Sequence, residues 1–163
     1  MAQVTITLKH KQLLYDIQNS SYIVGLNRSN GSNFEDVSNI QNTGEGGELD
    51  MMLRSIETAF GEIKRNVNRF IVDNTNETDT PNTPITVDTG EFTLTLDMPG
   101  NFNLASVDSI KSAAHEYIVS SALYDWFTAV KPDEIKIYEQ RKIEASIDLL
   151  SAVYRKQSPT RPL

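Results

Sequence analysis

The amino-acid sequence predicts a mainly α fold: a helical bundle with a long C-terminal antiparallel helical hairpin plus one small β-hairpin insertion. Three observations predict it. Apolar residues recur at helical spacing in four separate stretches. The last two stretches are separated only by Lys131-Pro132-Asp133, and so short a connection makes long helices antiparallel neighbours. Between residues 85 and 97 the pattern switches to alternation, the mark of half-buried strands. A chain of 163 residues fits one domain, here taken as residues 1–163, and can bury a core without cross-links.

The first helix is expected from Thr7, a plausible N-cap, to Asn27. Leu13, Leu14, Ile17 and Val24 form a loose apolar face, and Gly25 with Asn27–Asn30 ends the element. Residues 28–47 read as a long polar loop rich in Asn, Ser and Gly, closing with Gly44-Glu45-Gly46-Gly47. Such loops are uncommon inside compact domains, so this one is expected to be mobile or ordered by a neighbour. Phe34, Val37 and Ile40 are spaced three apart within it. They make either one short helix or a hydrophobic foot for a partner.

The second helix is the clearest element. Leu49, Met52, Leu53, Ile56, Phe60, Ile63, Val67, Phe70 and Ile71 recur on one face. Acids lie toward its start and Lys64, Arg65 and Arg69 toward its end, an order that suits the helix dipole. Residues 73–101 hold a linker, 73–84, and the expected hairpin. Ile85 and Val87 form one alternating run, Phe92, Leu94 and Leu96 the other, with Thr89-Gly90 as the turn. A lone hairpin is marginal in water, so it must pack on the helices or be extended by another chain.

The third helix runs from Leu104 to Val130, with Val107, Ile110, Ala114, Tyr117, Ile118, Ser121 and Tyr124 along one stripe. The fourth runs from Pro132 to Lys156, with Ile135, Tyr138, Lys142, Ala145, Leu149, Ala152 and Val153. Pro132 suits a first helical turn, and the Lys142 stem can cover apolar surface. Residues 157–163 form an extended tail whose prolines cannot continue a helix.

Composition narrows the function classes. Apolar content is 39%, low for a compact monomer of this size, which points to long polar loops or surfaces covered by partners. The net charge of −7 and pI near 4.8 argue against gripping nucleic-acid phosphates as the main task. Without cysteine there is no disulfide, thiolate metal site or thiol nucleophile. Met1 to Leu8 has no signal-like apolar region and the apolar runs are short, so a soluble intracellular product is expected. The triplets Asn19-Ser20-Ser21 and Asn76-Glu77-Thr78 then read as chance matches to a glycosylation signal.

Reactive constellations are sparse. His10 and His115 lie on different helices, and His115-Glu116 lacks the second histidine of a zinc-protease helix. Gly44–Gly47 resembles a phosphate cradle only in composition, because no Lys-Ser/Thr follows and no strand precedes. Glu35/Asp36 and Asp133/Glu134 are paired carboxylates without signs of the burial that would separate their pKa values. No cofactor, metal or catalytic residue is expected. The candidate residues are contact residues: Phe34, Val37, Ile40, Tyr124, Trp126, Arg155, Lys156 and Arg161. The aromatics Tyr117, Tyr124, Trp126, Phe127 and Tyr138 are either plain core or include a subunit anchor at Trp126 or Tyr124. The tail cations either complement the helix dipole or belong to an arm lying on an acidic neighbour.

Gly100-Asn101-Phe102-Asn103, His115 to Val119, Leu123-Tyr124-Asp125-Trp126-Phe127, Lys131-Pro132-Asp133-Glu134 and the tail from Arg155 to Arg161 resemble small structural proteins of Bacteroidales-type phages. In architecture the chain is similar to the head–tail connector, or neck, proteins of tailed bacteriophages. The resemblance covers residues 100–163, and helix one weakly. It implies a non-enzymatic virion protein, made and assembled in the host cytoplasm, that packs into a closed homo-oligomeric ring of about twelve copies between portal and tail. Its implied partners are itself, the portal and the tail or neck proteins. Genome DNA is passing cargo, and no membrane is involved. The competing expectation is a small helical adaptor acting as a monomer or dimer.

Overall fold

The computed structural model describes residues 2–72 and 90–157. The described elements are β1 (Ala2–Lys9), α1 (His10–Asn27), α2 (Phe34–Ile40), α3 (Gly46–Asn66), β2 (Glu91–Met98), α4 (Val107–Val130) and α5 (Ile135–Val153). Short 3-10 turns precede α4 and α5 and follow α3. The fold is mainly α, with the expected C-terminal helical pair and a small antiparallel sheet.

α4 is the centre. Apolar and small residues on every side of it are buried, from Ile110, Ala113 and Ala114 through Ile118, Val119 and Ala122 to Trp126 and Phe127. A helix apolar all round must be wrapped by others, and α1, α2, α3, α5 and β1 all pack on it. α5 is its antiparallel partner. Phe127 stacks on Tyr138 with ring centroids 5.0 Å apart, and Pro132 opens the turn between the helices. At the far end Ser106 Oγ donates to the Ala152 carbonyl, 3.1 Å, pinning the start of α4 to the end of α5.

One expectation at the start of the chain is corrected. Thr7 lies inside β1, and the first helix begins at His10. Val4, Ile6 and Leu8 alternate with exposed or half-buried neighbours, so burial period two wins at this end. The 92–97 run is a strand, as expected, and among the described residues it pairs with β1, in antiparallel register with Val4 opposite Leu96 and Ile6 opposite Leu94. Ile71 bridges Leu96 from the other edge. The 85–88 run and the 73–84 linker lie outside the described residues. The sheet buries Leu94, Leu96 and Met98 with the β1 side chains.

The 28–47 stretch is ordered within the chain, by its own polar residues and by contacts to its neighbours. Asn30 Oδ1 accepts from the amides of Ser32 and Asn33, and Asn33 Nδ2 donates to the Arg28 carbonyl. The Asn42 amide donates to Ser21 Oγ, 3.0 Å. Glu48, in the first turn of α3, accepts from both the amide and the hydroxyl of Thr43. The Asn/Ser richness therefore encodes side chain–backbone turns, and the Phe34–Ile40 spacing is a helix.

The helical extents differ slightly from periodicity. α3 ends at Asn66 and a 3-10 turn, Asn68–Phe70, carries the pattern onward. α5 ends at Val153 rather than Lys156. Residues 155–157 run alongside 101–103 instead, with Asn103 N donating to the Arg155 carbonyl and Gln157 N to the Asn101 carbonyl.

Candidate assembly surfaces

The candidate contact residues divide by burial. Trp126 is buried, and its ring N–H donates to the Ile40 carbonyl at 2.8 Å. Val37 and Ile40 are buried under the same corner. These three fasten α2 to α4 and cannot act as surface anchors, which corrects the expectation for each. Tyr124 is half-buried against the core. Phe34 is 71% exposed, and Arg155 and Lys156 are exposed. Lys156 is bridged to Phe102, so the start of the tail is held on the fold. Arg161 lies outside the described residues.

Polar ties clamp the outer helices to the centre. His115 Nε2 meets Asp16 Oδ2 of α1 at 2.5 Å. Two residues on, Tyr117 Oη donates to the Glu62 carboxylate of α3, which also pairs with Lys142 Nζ of α5 at 3.2 Å. Burial pulls the Glu62 carboxyl upward, but the Tyr117 hydrogen bond and the Lys142 ammonium outweigh it and hold the group below its ordinary range. Burial and the Glu62 charge push the Tyr117 phenol well above its usual value. Burial likewise raises Tyr138, with Arg141 opposing and Glu134 adding to the shift. Arg28, at the end of α1, pairs with the buried Glu134 at the α4–α5 turn.

These ties fix where the helices stand. Residues two apart on a helix point roughly 200° apart around it. His115 receives α1, and Tyr117, on another side of α4, receives Glu62 of α3 with Lys142 of α5 beside it.

Both flanking helices carry an apolar face directed away from the core. On α5, Tyr138, Ala145, Leu149 and Ala152 are buried, whereas Ile143, Ile147 and Tyr154 are each more than half exposed, with Leu150 half-buried between them. Positions 143, 147, 150 and 154 are spaced four, three and four, the spacing of a coiled-coil seam. On α1, Leu13, Leu14, Ile17 and Ser21 are buried, whereas Tyr15, Tyr22 and Leu26 stand opposite at 66%, 50% and 49% exposure. Sequence reading missed both faces. It credited each helix with one stripe and did not ask why further large apolar residues recurred across from it.

The remaining surface offers an open groove of about 760 Å³ between α4 and α5, lined by residues such as Ser106, Asp108, Ser112, Glu144 and Asp148. A smaller crevice of about 180 Å³ crosses α4 between Asp16 and Arg141. Among the described residues no group of three or more His, Asp or Glu side chains has the arrangement to hold a metal ion. No described helix is long and apolar enough to cross a membrane. No family model, curated protein or solved structure matches the chain.

Proposed function

We propose that this chain is a structural, non-catalytic subunit of a tailed-phage particle. Copies standing side by side would form a connector or neck ring between portal and tail. The observation that carries the reading is the pair of outward apolar faces, one on α1 and one on α5. Isolated exposed apolar residues are ordinary. A second apolar face on each of two helices, across from the buried one, is a surface made to be covered. Two unlike apolar faces on one subunit suit a heterologous, head-to-tail contact, and such contacts generate closed rings when the rotation closes. The similarity of residues 100–163 to phage connector proteins supplies the particle.

In this reading the partners are further copies of the chain, the portal, and the tail or neck proteins. The protein is assembled in the host cytoplasm and resides in the virion. An acidic ring does not hold DNA by its phosphates, so the genome passes through. Electron microscopy of the chain mixed with portal and tail proteins tests the proposal. Rings seated on the portal are expected. Native mass spectrometry giving only one or two copies with those partners present would favour the adaptor instead.

A further inference from the structure

We infer that β1 is an open sheet edge that pairs antiparallel with β1 of a second copy of this chain, Ile6 on Ile6, so that two small sheets join into one of four strands. The direction of the main-chain groups leads there. In an antiparallel pair, alternate residues turn their amides and carbonyls toward the partner strand and the others turn them away. His10 N donates to the Gly90 carbonyl, one step beyond the Lys9–Glu91 pair, so the even-numbered residues of β1 face β2. Val72 N donates to the Thr95 carbonyl on the far edge of β2, and Thr95 stands opposite Thr5. Both contacts give the same parity. Gln3, Thr5, Thr7 and Lys9 therefore aim their amides and carbonyls away from β2, past the edge of the sheet. Among the described residues no strand lies beyond β1, and no loop backbone bonds to those groups.

Such an edge takes an extended strand, and β1 itself fits. Sheet edges are ordinarily guarded by proline, bulges or charge. Ala2–Lys9 has no proline, pairs with β2 without a bulge, and carries a single charge at its last position. With Ile6 on the two-fold axis, Gln3 meets Lys9 and Thr5 meets Thr7. Every outward-facing residue of both strands is then paired, through about eight main-chain hydrogen bonds, close to the roughly ten of a whole standard interface. The same register keeps the faces. Val4 meets Leu8 on the buried side, and the threonines stay on the other side, where Thr5 already faces Thr95. Charge agrees as well. The two Lys9 side chains fall at opposite ends, about 20 Å apart, beyond the screening length of about 8 Å. Each shares a row with Asp97 of the other copy, which lies across Gln3 at about 10 Å. A two-stranded sheet is marginal where four strands are not. The contact is two-fold, so it is separate from the head-to-tail contacts of the proposed ring and joins two subunits, or two rings back to back.

The parity of the strand sets the test. Proline at an outward-facing position removes no hydrogen bond of the β1–β2 ladder. Thr5→Pro should therefore keep the helical circular dichroism of the unmodified chain, yet stay monomeric at concentrations where that chain dimerises in sedimentation velocity. Thr5→Lys/Thr7→Lys sets lysines opposite one another across the pair and should abolish the dimer without touching the backbone. The cysteine-free sequence lets the register be read. Residues opposite each other in a hydrogen-bonded pair have Cα atoms about 5.5 Å apart, within disulfide reach. A mixture of Thr5→Cys and Thr7→Cys chains should cross-link on oxidation, and neither chain should do so alone. An unmodified chain that stays monomeric up to about 1 mM, the weak end of binding, would overturn the inference. A dimer that survives both the proline and the lysine variants would do the same, as would Thr5→Cys cross-linking alone as fast as in the mixture. Rings that the unmodified chain forms on the portal and Thr5→Pro loses would also count against it, since the edge would then serve the ring contact.

Discussion

Replacing Trp126 by Phe tests whether that ring belongs to the fold or to an interface. The indole is 4% exposed and its N–H reaches the Ile40 carbonyl at 2.8 Å, joining α2 to α4. The phenyl ring keeps most of the packing but takes the donor away from a buried carbonyl, which costs about 1–3 kcal/mol. The lost ring atoms add about 1 kcal/mol of burial. The expected destabilisation is about 2–4 kcal/mol. In a domain of this size it lowers Tm by roughly 5–15 °C at about 2–4 °C per kcal/mol. With a urea slope of about 2 kcal/mol/M, the midpoint falls by about 1–2 M. Trp126 is the sole tryptophan, so fluorescence disappears with it and helical circular dichroism should follow the unfolding. A midpoint unmoved within about 0.3 M, combined with loss of assembly on the portal, would refute the argument and return Trp126 to the surface.

Further predictions concern the ties between helices. Because Glu62 is held below its ordinary carboxyl value in the fold, its contribution is present above the reference value of 4.5 and is lost as pH falls through and below it. Glu62→Gln should therefore flatten the acid limb of stability by about 1 kcal/mol or less, measured by urea unfolding between pH 6 and about 3. Tyr117 has the opposite sense: its raised phenol stabilises below its ordinary value of 10.0 and ceases to do so at higher pH, so Tyr117→Phe should weaken the alkaline loss. Arg28→Ala leaves the buried Glu134 carboxylate without its guanidinium and should cost about 1–3 kcal/mol. The Arg28→Ala/Glu134→Ala double variant should show a coupling of at least about 0.5 kcal/mol in a thermodynamic cycle. Gly44 sits at φ +69°, and an added Cβ would fall 1.9 Å from Gln18 Nε2, so Gly44→Ala should lower the urea midpoint by about 1–2 kcal/mol of stability.

Periodicity made the helices legible because each buries a stripe whose spacing survives in the sequence. The Met52–Ile63 stripe of α3 and the Pro132 break between α4 and α5 are local signals. The pairing of β2 with β1 was not legible. A strand's alternation shows that one face is buried, not which distant segment joins the ladder. The 28–47 stretch was misjudged because polar residues were read as avoiding order, whereas Asn30, Asn33 and Thr43 create it. Of the candidate contact residues, Val37, Ile40 and Trp126 turned out to be core. Large apolar side chains in a polar setting look alike whether they face a partner or the protein's own interior. Tyr15, Tyr22, Ile143 and Ile147 escaped notice for the converse reason. In sequence an outward stripe merges with the inward one, and only burial separates them.

The long reach of the β1–β2 ladder sets an order of events on the ribosome. Thr5 faces Thr95 across 90 positions, and closing a loop that long costs about 4 kcal/mol of chain entropy beyond a constant. At roughly 5–20 residues per second, the first strand waits on the order of 5–20 s for its partner to be synthesised. During that interval Val4, Ile6 and Leu8 are an unpaired apolar edge, open to association with other nascent chains. A fusion tag placed before β1 would burden the segment that waits longest.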